Sequence, residues 1–292
     1  MSEVCCFGEA LVDLLPDRRG KLRDCARFEV RSGGAPANVA VGLARQGVKA
    51  AFVGVVGEDE FGHLLAQRLA AEGIDVRLRF SSEAKTGVWF VALDEQGDRT
   101  FFTPTGAGSA DKLIAPEDCA RLPAEARWLH CGSSSHIRPE AQEALKLAVR
   151  EARARGQRVS FDPNVRAHLW DDLRELRALC AAVLPLCTVV KLSEDETEAC
   201  LGERDPGRAL DALHALGVDL ACVTLGARGA IARRGSDRLT IPAPQVAVVD
   251  TTGAGDAFVA GLLARLDRDP LETALRHACS EGSRICTQLG AT

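Results

Sequence analysis

The chain has 292 residues, 46% hydrophobic and 26% charged, with 27 Gly and 12 Pro; that composition excludes a coiled coil, a collagen-like repeat and a disordered chain. Its 36 Lys and Arg against 41 Asp and Glu give a formal net charge of -5, so no broad field draws it to nucleic acid or to an anionic membrane, and an anionic ligand must be held by a few placed groups. Its longest apolar run falls short of the roughly 20 residues of a membrane span, and Glu3 precedes the first apolar run where a signal peptide would be basic, so a cytoplasmic protein with a small-molecule ligand is expected.

Residues 4–8 form a short apolar run ending in Gly and predict a buried strand. Residues 11–32 then alternate apolar and polar, with turn signals at Pro16 and Gly20, and predict antiparallel strands. A helix over 36–46, a strand over 51–55 and a helix over 61–71 follow. Residues 85–103 alternate again around Gln96-Gly97. Beyond them come strands over 128–131, 159–162, 188–191 and 222–224, with helices over 139–155, 169–182 and 207–216 between them and a last helix over 256–266. Strand–helix alternation of this kind predicts an α/β fold with a largely parallel sheet and right-handed crossovers. The two alternating segments are expected to form a small sheet projecting from the body. No linker or repeat divides residues 1–292, which are expected to form one domain.

Several common signatures are absent: no Gly-x-x-x-x-Gly-Lys phosphate loop, no Gly-x-Gly-x-x-Gly after the first strand, no Gly-x-Ser-x-Gly elbow. The 11 Cys are dispersed without a Cys-x-x-Cys pair and read as reduced buried thiols. The six His show no ligand spacing and read as structural or surface groups.

The strongest local signal is Asp250-Thr251-Thr252-Gly253-Ala254-Gly255-Asp256-Ala257-Phe258. Two glycines before a helix leave backbone N–H groups open at the positive end of the dipole, an anion site, with Asp256 in the first turn where it can take a proton from a hydroxyl. A plain helix cap fits the same residues. Ser32-Gly33-Gly34-Ala35-Pro36-Ala37-Asn38 opens another helix, and its close backbone approach plus an amide suits polyol hydroxyls, or simply a Gly-rich helix start. Asp162-Pro163-Asn164-Val165-Arg166 ends a strand, where open α/β sheets bind ligands, although an Asx turn reads equally. Only two Asn occur in the chain, and Asn38 and Asn164 fall in these two segments. Lys191-Leu192-Ser193-Glu194-Asp195-Glu196 could organise a hydrated Mg²⁺ or be an acidic first helical turn. Val223-Thr224-Leu225-Gly226-Ala227-Arg228-Gly229 runs from a strand into a Gly turn that could abut a nucleotide.

Together with Gly-Glu-Ala-Leu-Val-Asp at 8–13, Gly54-Val55-Val56-Gly57-Glu58-Asp59 and Phe61-Gly62, these segments resemble the ribokinase (PfkB) family of sugar kinases, in order over nearly the whole chain. Leu129-His130-Cys131-Gly132-Ser133, Leu169-Trp170 and Val189-Val190-Lys191 look most like the bacterial fructokinases within it. The resemblance implies a ribokinase-like, doubly wound α/β fold with a β lid from about 11–32 and 85–103, and a kinase that moves a phosphoryl group from ATP, with Mg²⁺, to the primary hydroxyl of a small sugar such as fructose. It implies Asp256 as catalytic base and Gly253, Ala254 and Gly255 as the anion hole. Asp13, Gly33, Gly34, Asn38, Phe101 and Arg166 match the sugar side; Lys191, Thr224, Gly226 and Gly229, with Gly253 and Gly255, match the nucleotide side. Glu196 carries over as a Mg²⁺-side group acting through water, although the family's Asn-x-x-Glu appears here as Ser193-x-x-Glu196. Asp250 and the Thr252 carbonyl match a K⁺ site used by many members, and the resemblance admits a homodimer through the lid. A 2-keto-3-deoxygluconate kinase, a riboside kinase or a catalytically silent sugar sensor of the same fold are the alternatives.

Overall fold

The computed structural model describes residues 2–18, 20–93 and 99–291, with the backbone alone at 92, 93 and 99–101. In chain order the strands are β1 (Val4–Phe7), β2 (Leu11–Pro16), β3 (Phe28–Gly33), β4 (Ala50–Gly57), β5 (Asp75–Ser81), β6 (Val88–Leu93), β7 (Arg99–Phe102), β8 (Trp128–Cys131), β9 (Arg158–Phe161), β10 (Val189–Ser193), β11 (Leu220–Thr224), β12 (Ala230–Arg234) and β13 (Asp237–Ile241). The helices are α1 (Ala35–Arg45), α2 (Glu60–Ala71), α3 (Pro139–Ala154), α4 (Leu173–Val183), α5 (Thr197–Leu201), α6 (Pro206–Ala215), α7 (Ala254–Arg265) and α8 (Leu271–Ile285).

Nine strands form one sheet in the order β13-β12-β11-β10-β9-β8-β1-β4-β5. From β11 to β5 every pairing is parallel, and β12 and β13 close one edge as an antiparallel hairpin. Strands buried on both faces need continuous apolar runs, and β4, Ala-Ala-Phe-Val-Gly-Val-Val-Gly, is buried at every position. One face packs on α3, α4 and α6 through Leu145, Val149, Leu176 and Leu210; the other packs on α1, α2, α7 and α8 through Leu43, Leu65, Phe258 and Leu275. Helix α7 is buried at nine consecutive residues, Asp256 to Ala264, because it is wedged between α1 and α8. Among the described residues no helix is long and apolar enough to cross a membrane. All 11 cysteines are free thiols, nine of them buried.

The second sheet has the order β3-β2-β6-β7 and is built from the two alternating segments. Its two outer pairings are antiparallel, as expected, but the central pairing of β2 with β6 is parallel. The cause is topological. β2 leaves the main sheet after β1 and β6 leaves it after β5, and those parent strands run the same way.

The fourth helix starts at Leu173 rather than 169. Asp172 caps it, its Oδ1 accepting from the Arg174 N–H at 2.8 Å, and residues 167–169 form a separate 3₁₀ turn. Strands β5, β12 and β13 and helix α8 are further elements that the sequence pattern did not isolate.

Candidate active site

The chain passes from β1 outward to β4 and β5, then returns to β8 on the other side of β1, so the strand order reverses between β1 and β8. A crevice opens at the carboxyl ends of strands at such a point. Here it is a cavity of about 960 Å³, bordered by Glu9 after β1, Ser134 after β8, Asp162 after β9, Glu196 after β10, Thr224 at the end of β11 and Asp256 on α7.

Asp256 lies in the first turn of α7, behind Gly253, whose φ of +77° lets the chain turn into the helix against Ala291. A Cβ at Gly253 would come within 2.6 Å of the Ala291 Cβ, so only glycine closes this turn. The Ala254 N–H donates to the Thr251 carbonyl at 3.3 Å, and Ala254 lines a second cavity. Among the described residues the N–H groups of Gly255 and Asp256 meet no protein acceptor, and both residues face the main cavity. Asn38, one turn into α1, donates through Nδ2 to Asp256 Oδ2 at 2.8 Å across 218 residues of sequence. Burial raises the Asp256 carboxyl to about 7; the Asp162 charge adds to the rise, while the Asn38 hydrogen bond, Lys191 and Arg166 oppose it. A base with that pKa is half ionised at neutral pH and still strong enough to take a proton.

Beside it, Lys191 on β10 donates from Nζ to Asp162 Oδ2 at 3.0 Å and stands 4.0 Å from Glu196 Oε2. Burial alone would lower the ammonium's pKa, but the carboxylates of Asp162, Glu196 and Asp256 outweigh it and hold the group charged above its usual range. Glu196 accepts the N–H of Val165 at 2.6 Å and of Ser193 at 2.7 Å, so it ties the ends of β9 and β10 together. Arg166 NH1 donates to Asn164 Oδ1 at 2.6 Å, with Asn164 at φ +46°. Removing one partner of a buried ion pair strands the other charge. We expect Asp162→Ala to cost about 3–5 kcal/mol of stability, read as a shift of the urea midpoint at unchanged slope.

At the other end of the cavity, Asp13 of β2 and Trp89 of β6 are direct cross-strand partners and both line it. Gly33 does not line the cavity; it lies beneath Asp13, where a Cβ would come within 2.2 Å of Asp13 Oδ2. Gly34, at φ +104°, lets α1 start close against the Glu9 carbonyl, which a Cβ at this position would approach to 2.4 Å. Trp89 meets His168 edge-on at a ring separation of 5.6 Å. Lys112 is buried and donates to Asp111 Oδ2 at 2.7 Å and the Ser134 carbonyl at 2.6 Å. The Phe101 backbone pairs with Val91 in the second sheet, and its side chain lies outside the described residues. His130 and His136 are buried and neutral, burial lowering each to about 3.

The second cavity, about 250 Å³, adjoins the first at Thr224, Gly226 and Gly255 and is walled by Ala243, Pro244, Val246 and Phe258. Gly229 borders this slot alone, its φ of +97° allowing the turn to pack on the Ile241 carbonyl. Asp250 faces neither cavity. It anchors the turn, Oδ1 accepting from the Thr252 N–H and hydroxyl at 2.9 and 2.8 Å and Oδ2 from the Gly290 N–H at 2.9 Å.

The whole chain, residues 1–292, matches the pfkB family carbohydrate kinase pattern. The chain belongs to the pfkB family of carbohydrate kinases. Among its relatives, a fructokinase of Klebsiella pneumoniae is 41% identical over 266 residues, covering 90% of this chain and 84% of its own. A fructokinase from Vibrio cholerae O395, solved with fructose, ADP and a calcium ion, superposes with a TM-score of 0.89 at 36% identity, covering 100% of this chain and 94% of its own. A fructokinase with bound ATP from Xylella fastidiosa gives a TM-score of 0.88 at 32% identity with the same coverage.

Within this pfkB kinase the residues singled out from sequence converge on two adjoining cavities, apart from Gly33 and Asp250, which support the walls, and Phe101. Sequence reading gave no role to Glu9, Trp89, Lys112 or Ser134, which line the main cavity. Glu9 carried one signal, an acidic residue set within an apolar run directly after the first strand. Lys112 and Ser134 carried none.

Proposed function

We propose that the protein is an ATP-dependent fructokinase that phosphorylates a primary hydroxyl of the sugar, with Asp256 as general base. The observation that carries this reading is Asp256 itself: buried, hydrogen-bonded by Asn38, raised to about 7 and set at the open N-terminus of α7. A protein that only senses a sugar has no use for such a base.

The sugar would lie against Asp13, Gly34 and Asn38, between α1 and the second sheet, which we assign as a lid excluding water from the reaction. Asp256 takes the proton of the hydroxyl while the hydroxyl oxygen attacks the γ-phosphoryl in line, the bond from the γ-phosphorus to the oxygen bridging to the β-phosphate breaks, and ADP leaves. The N–H groups of Gly255 and Asp256, the α7 dipole and the Lys191 ammonium face the charge on the transferring group. Purine would fit the apolar slot beside Thr224, Gly226 and Gly229. Positioning carries most of the rate, since little covalent chemistry falls to the protein.

Among the described residues no cluster of three acidic, His or Cys side chains could cage a metal. Glu196 lines the main cavity and would hold Mg²⁺ through water, an ion that keeps water and phosphate oxygens as its other ligands. Bound there, the ion would supply neutralisation of the phosphate charge. A K⁺ at Asp250 and the Thr252 carbonyl would add positive charge behind the anion-binding turn. The reading also includes action in the cytoplasm and self-association through the lid, where Phe28, Phe90 and Phe102 pack together and Phe102 is 55% exposed.

Fructose is favoured over 2-keto-3-deoxygluconate because Glu9 and Asp13 line the sugar end, whereas the Lys112 charge is already engaged by Asp111 and the Ser134 carbonyl. Arg99 on β7 is a cation that a carboxylated sugar would need from the lid, and its side chain lies outside the described residues. ADP release measured by a coupled assay over about a dozen sugars with ATP and Mg²⁺ tests the proposal: sugar-dependent turnover is expected, and no turnover with any sugar contradicts it. Asp13→Ala should raise the fructose KM at least ~10-fold, as expected for a lost hydroxyl contact, with little change in the ATP KM.

A further inference from the structure

Glu9 is only 3% exposed, follows β1 at the point where the strand order reverses, and lines the main cavity. Its Oε1 accepts the Ala35 N–H at 3.3 Å, at the start of α1. Its Oε2 is buried and, among the described residues, has no hydrogen-bond partner. A buried carboxylate oxygen without a donor is costly, so native proteins rarely keep one that serves no ligand. Packing does not explain the choice of residue. An apolar side chain would fill the space, and the Ala35 N–H would remain one of the open donors usual at a helix start.

We propose that Glu9 is a specificity-determining residue whose Oε2 accepts a hydrogen bond from a second hydroxyl of the bound sugar, distinct from the one that is phosphorylated. The fold gives the spacing. Ala35, which orients Glu9, and Asn38, which holds Asp256, lie three residues apart on one face of α1, a rise of roughly 5 Å. The hydroxyl that Glu9 reads therefore sits a few carbons along the sugar from the reacting oxygen. A carboxylate can only accept, so the site selects a donor there and disfavours a carboxylate, a phosphate or a deoxy position. Asp13 lines the same end and adds to that exclusion, while Lys112 remains paired with Asp111.

This inference rests on the sugar-kinase reading. The test compares wild type with Glu9→Gln on fructose and on its 3-deoxy and 4-deoxy analogues. Gln keeps an oxygen for the Ala35 N–H and turns the second position into a donor. The expected result is a sugar KM raised ~10-fold or more, as for a lost charged hydrogen bond, with kcat changed far less, an unchanged ATP KM and an unchanged melting temperature. One of the deoxy analogues should lose kcat/KM in the wild type but lose little further in Glu9→Gln. An unchanged fructose KM, or equal losses for both analogues in both proteins, overturns the assignment. If Glu9→Gln folds poorly, Glu9→Asp, which keeps the charge and retracts it by one methylene, undergoes the same comparison. A wild type that releases no ADP with any sugar contradicts the kinase reading; an active wild type whose variant keeps its sugar KM contradicts the Glu9 role alone.

Discussion

Asp256→Asn is expected to lower kcat by ~10²–10⁴-fold, the range that a positioned general base contributes, while the sugar KM stays close to that of the wild type. Asn keeps the shape and an oxygen for the Asn38 amide, which now donates to Asp256 Oδ2 at 2.8 Å, but it cannot take a proton. The wild-type pH profile carries the same information. The carboxyl is raised to about 7, burial being the main cause, and only its ionised form can act as base. Activity should therefore be full above pH 7 and fall roughly tenfold per pH unit below it, and Asp256→Asn should flatten that acid limb. Steady-state kinetics between pH 5.5 and 8.5 check both points, and a variant keeping more than about a tenth of wild-type kcat contradicts the assignment.

Gly255→Val is expected to abolish measurable turnover, a loss of at least ~10³-fold, without unfolding the protein. The steric reason is specific. A Cβ at Gly255 would meet no backbone, only the tip of the Lys191 side chain at 3.0 Å. The helix tolerates the residue, but the branched side chain occupies the approach to the Gly255 and Asp256 N–H groups and displaces Lys191 from Asp162. Circular dichroism and a melting curve recorded beside the assay separate the cases: an inactive, folded variant supports the anion-binding role, whereas loss of the folded signal makes the glycine structural. Gly253→Val would not separate them, because a Cβ there collides with Ala291 at 2.6 Å at a positive φ.

The sequence carried the frame well where burial decides the pattern. Strands buried on both faces appear as unbroken apolar runs such as 51–55, and the observed β4 extends that run to Ala50–Gly57. β5, β12 and β13 escaped because they lie at or near the sheet edges, where Arg77, Arg79, Arg233, Arg234 and Arg238 interrupt the apolar run. Helix α8 was hidden because its buried Ala274, Leu275, Ala278 and Cys279 alternate with Arg276, His277 and Ser280 and offer few large apolar residues. Local motifs at helix starts pointed to Asp256, Asn38 and Gly34, because glycine before a helix has a physical meaning that can be read without the fold. The pairing of Asn38 with Asp256, the Lys191–Asp162 ion pair and the open oxygen of Glu9 are long-range facts. No spacing rule reaches across the 218 residues that separate Asn38 from Asp256.

The central claim is that this cavity phosphorylates a neutral ketohexose. The most direct measurement is kcat/KM for fructose and for 2-keto-3-deoxygluconate, taken side by side with saturating ATP and Mg²⁺. A site that presents Glu9 and Asp13 to the sugar, with Lys112 already paired, predicts a preference for fructose of at least ~10²-fold, as expected when a substrate carboxylate must be buried against fixed acceptors. Equal values, or a preference for the acid, would contradict the assignment of fructose and leave only the kinase.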